Sequence, residues 1–108
     1  ALAGFSQGAM MSLERALRGE TRPAALVLLS GAAPSHIVGD WERLRGVPVF
    51  VSHGRQDSLL PFSGAEEIVR HAEAAGASVT FVPFDGGHSI PPAVITRLED
   101  FLRGVLVD

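Results

Sequence analysis

The chain has 108 residues, 46% of them apolar and 19% charged, with a formal charge of -3 and no cysteine. That length and balance suit one small globular domain, or part of one, and exclude a disordered tail. They also exclude a basic footprint for nucleic acid or an anionic membrane, and with it disulfides, thiolate chemistry and cysteine-held metal. The longest apolar run, from Ala24 to Leu29, is strand-sized and far too short to span a bilayer. Composition fixes no compartment, and the cytoplasm is the favoured expectation.

Ala1-Leu2-Ala3 has no initiating Met, no charged start and no apolar core, so it does not read as a signal peptide. These three residues precede a turn motif that ordinarily follows a buried strand. The expectation is a longer protein, with only the stub of that strand here. Residues 7–18 read as a helix, because Ala9, Leu13, Ala16 and Leu17 recur at helical spacing and Gly19 stops the run. Residues 24–30 are a continuous apolar run between Pro23 and Gly31, as suits a strand buried on both faces, and residues 31–39 read as loop. Asp40 caps a short helix reaching Arg45. Residues 48–53 are the next strand, centred on Val49, Phe50 and Val51 and closed by Gly54.

Ser63-Gly64-Ala65-Glu66 has capping-box spacing, so a second full helix is expected to start at Ser63. It would bury Ala65, Ile68, Val69, Ala72 and Ala75 and end at Gly76. Ser78–Phe84 is the third complete strand, and Asp85-Gly86-Gly87 is a turn. The last helix opens at Pro91-Pro92, where missing amides do no harm, and carries an apolar stripe of Val94, Ile95, Leu98, Phe101, Leu102 and Val105. Strands alternating with helices predict an α/β fold. Its sheet is mostly parallel, about three full strands plus a stub, with right-handed crossovers.

Three loops carry the chemistry. Gly4-Phe5-Ser6-Gln7-Gly8 has the G-x-S-x-G pattern of a nucleophile elbow. A serine hydroxyl is a weak nucleophile and must stand clear of the sheet, where a base and an acyl carbon both reach it. A sharp strand-to-helix turn achieves this, and flanking glycines remove side chains that would clash. The following helix turns its amino end toward the serine, and the Gln7 amide is placed to donate to an oxyanion. In isolation the same pentad also suits a glycine-punctuated loop with Ser6 as a helix cap; a preceding strand and a following helix decide between the two.

Asp57 lies just past the second complete strand and His88 just past the third, giving the order Ser, Asp, His. Loops at the carboxyl ends of parallel strands are where such sheets gather functional groups. His88 would take the Ser6 proton and return it to the leaving group, while Asp57 holds the imidazole in its working tautomer. Asp85 is the rival acid, but its place in the turn suits it to shaping that turn. His53 is expected to support its strand end, and His36 and His71 to face solvent. No histidine pair has zinc-ligand spacing. A histidine base predicts that activity falls as the imidazole protonates, ordinarily near about 6.5.

Gly4-Phe5-Ser6-Gln7-Gly8, Leu29-Ser30-Gly31, His53-Gly54-Arg55-Gln56-Asp57 and Gly87-His88 together resemble the phospholipase/carboxylesterase family, which includes the acyl-protein thioesterases. The likeness runs over essentially the whole chain. It implies the carboxy-terminal half of an α/β-hydrolase, with Ser6, Asp57 and His88 as the triad, Gln7 as the oxyanion residue and no cofactor. It further implies hydrolysis of carboxylic esters, short-chain ones by default, through an acyl-enzyme. Thioesters, lysophospholipids or peptides are alternative substrates for the same triad, and a truncated binding or assembly unit is the non-catalytic alternative. Family members are about twice this length. Their amino-terminal half would supply further strands and the second oxyanion amide, whose loss typically lowers turnover about 10²–10³-fold. That half, or another chain such as a second copy in a homodimer, is expected to cover the exposed sheet edge. Phe5, Leu59, Leu60, Phe62 and Ile90 share loops with the triad. They would line an acyl pocket or, equally, pack beneath the loops.

Overall fold

Four strands, all parallel, lie in the order β1-β2-β3-β4: β1 Leu2–Phe5, β2 Leu26–Leu29, β3 Pro48–Gly54 and β4 Ser78–Phe84. The computed structural model describes residues 2–19, 23–32 and 40–106. Helix α1 (Gln7–Arg18) connects β1 to β2, and α2 (Phe62–Ala74) connects β3 to β4. A 3-10 turn over Trp41–Leu44 precedes β3, and α3 (Pro92–Leu106) follows β4.

The continuous apolar run of β2 has a direct explanation in this topology. Successive side chains of a strand point to opposite faces, and both faces here are covered. Leu26 and Leu28 join Leu13 and Leu17 of α1, Val49 and Val51 of β3, and Ile68 of α2 in one core. Val27 and Leu29 join Phe50, Val82 and Val94 in a second, against which Leu98, Phe101 and Leu102 of α3 pack. The result is three layers, with α1 and α2 on one face and α3 on the other. Two cores around one sheet hold the strand ends rigidly, and those ends carry the loops of interest.

Several boundaries differ from the sequence expectation. The stub is a paired strand, with Leu2 to Phe5 in register with Leu26 to Leu29. β2 is shorter than residues 24–30, because Ala24 is exposed and Ser30 turns away with φ 53°. Helix α2 starts at Phe62, with Pro61 in the capping position and no side-chain cap bond. Proline there sets an extended backbone, so Ser63 falls inside the first turn and the expected capping box does not form. Asp40 does cap, its carboxylate accepting from the Glu42 amide at 2.9 Å, but the element is a 3-10 turn. Ile95 is exposed and leaves the α3 stripe, since Val94 takes the inward position. Residues 33–39 of the expected 31–39 loop, His36 among them, lie outside the described residues.

Candidate active site

The close approach of Gly4 to α1 makes the turn at Ser6 possible. A Cβ at Gly4 would overlap the Gly8 carbonyl and crowd the Ala9 amide at 2.6 Å. Gly8 is different: a Cβ there meets nothing within 4 Å, so among the described residues Gly4 alone of the two flanking glycines is sterically required. Ser6 itself has φ 57° and ψ -119°, a backbone region that costs a non-glycine residue about 1–3 kcal/mol. Its amide donates to the Leu29 carbonyl at 2.8 Å, and its carbonyl accepts from Ala9 and Met10 at the start of α1. Strand pairing on one side and the helix on the other thus hold the strained turn. Gln7 is the first residue of α1, where an amide has no acceptor within the helix.

Gly54 ends β3 where the acid loop meets the histidine loop. A Cβ there would overlap the carbonyl oxygens of Gly86 and Gly87. Its absence lets Arg55 and Gln56 donate to the carbonyls of Phe84 and Gly86, both at 2.9 Å. The two loops are stitched together by backbone before any side chain is considered.

Three side chains then meet. The Ser6 hydroxyl lies 2.8 Å from His88 Nε2, and His88 Nδ1 lies 2.7 Å from Asp57 Oδ2. An ionised carboxylate only accepts, so Nδ1 carries the hydrogen and Nε2 is free to accept from Ser6. The Asp57 side chain is fully buried, and His88 is 14% exposed. Asp57 Oδ1 also accepts from the Leu59 and Leu60 amides, each at 2.8 Å. Burial pushes the carboxyl pKa up. The Leu60 amide, the His88 imidazole and the Leu59 amide together outweigh burial and hold Asp57 below its ordinary 3.8.

The remaining expected residues fall in several places. Phe5 is 38% exposed and sets its ring 4.9 Å from that of His88. Leu59 is 70% exposed beside the acid, and Leu60 is half-buried. Ile90 packs against the second core, and Phe62 sits between His53 and Phe81. Asp85 pairs with Arg55 at 3.2 Å on the surface rather than with His88. His71 is exposed and stacks on Trp41. Sequence reasoning missed Ser30, buried with a left-handed backbone, whose hydroxyl reaches the Ser89 carbonyl at 3.4 Å. Its only signal was its place in Leu29-Ser30-Gly31, which carried the family resemblance but no role for the serine.

A parallel sheet between two helical layers, with the Ser6 turn, the Asp57 loop and the His88 loop at the carboxyl ends of β1, β3 and β4, defines an α/β-hydrolase fold. The chain belongs to the phospholipase/carboxylesterase family, whose model matches residues 1–106. It is 34% identical to acyl-protein thioesterase 1 of Eremothecium gossypii, over 97% of this chain and 47% of that protein. It is 26% identical to carboxylesterase SOBER1 of Arabidopsis thaliana, over 94% of this chain and 46% of that protein. A crystal structure of Arabidopsis thaliana SOBER1 superposes with a TM-score of 0.81 over 96% of this chain and 51% of its own, at 25% identity. The Bacillus cereus carboxylesterase shares the fold, with a TM-score of 0.83 over 95% of this chain and 48% of its own, at 21% identity. The chain therefore spans about half the length of the curated relatives it matches.

Proposed function

We propose that this chain is the catalytic part of a serine hydrolase that cleaves short-chain carboxylic esters. The reading rests on one observation: the unbroken run from Ser6 Oγ through His88 to Asp57, at 2.8 and 2.7 Å, on a strained serine turn. Ser6 Oγ attacks the acyl carbon as its proton passes to His88 Nε2, and the carbonyl electrons move onto oxygen. The Gln7 amide donates to that oxyanion. Collapse breaks the carbon–oxygen bond, His88 returns the proton to the departing alcohol, and the acyl group stays on Ser6. Water then attacks with His88 again as base, releasing the acid and restoring the serine. Asp57 stays ionised throughout and stabilises the imidazolium. Phe5 and Leu59, exposed beside the triad, supply apolar surface for the acyl group; Leu60 and Ile90 support it from beneath.

Relatives named acyl-protein thioesterase favour one second reading, in which the same attack on a thioester expels a thiol. A fluorophosphonate probe should label Ser6 in the intact protein, and Ser6→Ala should abolish both labelling and turnover. Absence of labelling would sink the hydrolase reading. A panel of acetyl and longer esters, thioesters and peptides then ranks substrates by kcat/KM. We further propose that additional polypeptide covers the free edge of β1 and supplies the second oxyanion amide.

A further inference from the structure

We propose that His53 is a positioning residue for the acid loop, acting through Leu60 on Asp57; this rests on the hydrolase reading above. His53 is the penultimate residue of β3 and is wholly buried. Its Nε2 lies 2.8 Å from the Leu60 carbonyl oxygen and 3.4 Å from Asp57 Oδ2. A carbonyl only accepts, so Nε2 carries the hydrogen and donates. Its other nitrogen, Nδ1, is buried without a partner among the described residues.

The Leu60 peptide is consequently clasped from both sides. Its amide donates to Asp57 Oδ1, and its carbonyl accepts from His53. Asp57 alone closes the 57–60 loop on itself; His53 ties the far end of that loop back to the sheet. Phe62 packs edge-on to the imidazole at 6.0 Å and stacks on Phe81, which walls the ring into this orientation. For packing alone, an apolar side chain would serve at lower cost, because a buried nitrogen without a partner is unfavourable. Holding the Leu60 carbonyl is what the imidazole adds. The loop then presents Oδ2 to His88 in one direction only.

Two substitutions separate this role from filling space. The amide nitrogen of Gln reaches the position of Nε2, whereas that of Asn matches Nδ1. In the intact protein, His53→Asn is expected to lower kcat by about 10²-fold with KM nearly unchanged, the typical result of a misplaced catalytic group. Hydrogen exchange should accelerate at the Leu59 and Leu60 amides but not at those of β2 and β3. His53→Gln should restore both readouts. The proposal is overturned if Gln is as impaired as Asn, if KM rises while kcat holds, or if exchange accelerates uniformly. Nitrogen-15 NMR of the unsubstituted protein gives a check that no variant's folding affects: a hydrogen on Nδ1 of His53 instead of Nε2 also overturns it. Failure of the hydrolase reading shows separately, as absent probe labelling at Ser6 in a protein whose Leu60 amide is still protected.

Discussion

Asp57 is held from three directions, by the Leu59 amide, the Leu60 amide and His88 Nδ1. Asp57→Asn keeps the shape but replaces an acceptor with a group that also donates, so His88 loses the partner that fixes its tautomer. A fall in kcat of about 10⁴-fold is expected from that change alone, read by steady-state kinetics against an unchanged fold. The lowered pKa has a second consequence. Because the folded value lies below the unfolded one of about 3.9, the ionised carboxylate contributes stability above that pH and loses it as pH falls through the folded value. The stability gap between the parent protein and Asp57→Asn should thus narrow from pH 6 to pH 3. Urea midpoints for both proteins at the two pH values check it, and a constant gap contradicts it. The meeting of Asp57 with His88 was legible because residue type, strand-end position and the Ser-Asp-His order agree. The left-handed turn at Ser30 and the His53–Leu60 bond were not legible. A left-handed serine carries no sequence signature, and a side chain's partner seven residues away depends on how the loop closes.

The elements were legible where one pattern governs them. Ala9, Leu13, Ala16 and Leu17 are all buried as the α1 periodicity requires. Legibility failed at ends, where local signals compete. Ser63 has the right spacing for a cap, but Pro61 two residues earlier had already set the extended backbone from which α2 starts. Glycines show the same limit, since Gly4, Gly8 and Gly54 look alike in sequence and differ in what surrounds them. Gly54→Ala would drive a methyl group into two backbone carbonyls that cannot yield. A loss of on the order of 1–3 kcal/mol is expected, with weakened turnover as the acid and histidine loops part. Gly8→Ala in α1 has open space and should instead gain about 0.5–1 kcal/mol. Urea midpoints of the two variants in the 108-residue chain decide it, the predicted sign being opposite.

Across the whole molecule, β1 pairs only with β2 among the described residues, leaving its other side without a strand. Ala3 and Phe5 are exposed along it, and beside it Leu2, Gly8, Met11 and Arg15 border a shallow hollow that none of Ser6, Asp57 or His88 lines. Parallel sheets are normally buried on both faces, and an exposed strand edge is a ready template for further pairing. The chain's match to about half of its relatives' length agrees with the proposal that more polypeptide belongs there. On the proposed hydrolase reading, a triad without a second oxyanion amide retains attack but loses charge stabilisation. The 108-residue chain alone should therefore hydrolyse p-nitrophenyl acetate about 10²–10³-fold more slowly than the same chain with its β1 edge completed. The deficit should fall on kcat, because the missing donor acts on the oxyanion and not on the bound ester. Equal kcat in the two forms would show that Gln7 and the three loops suffice. Sedimentation of the isolated chain supplies the companion measurement, in which self-association would identify a second copy as the cover of that edge.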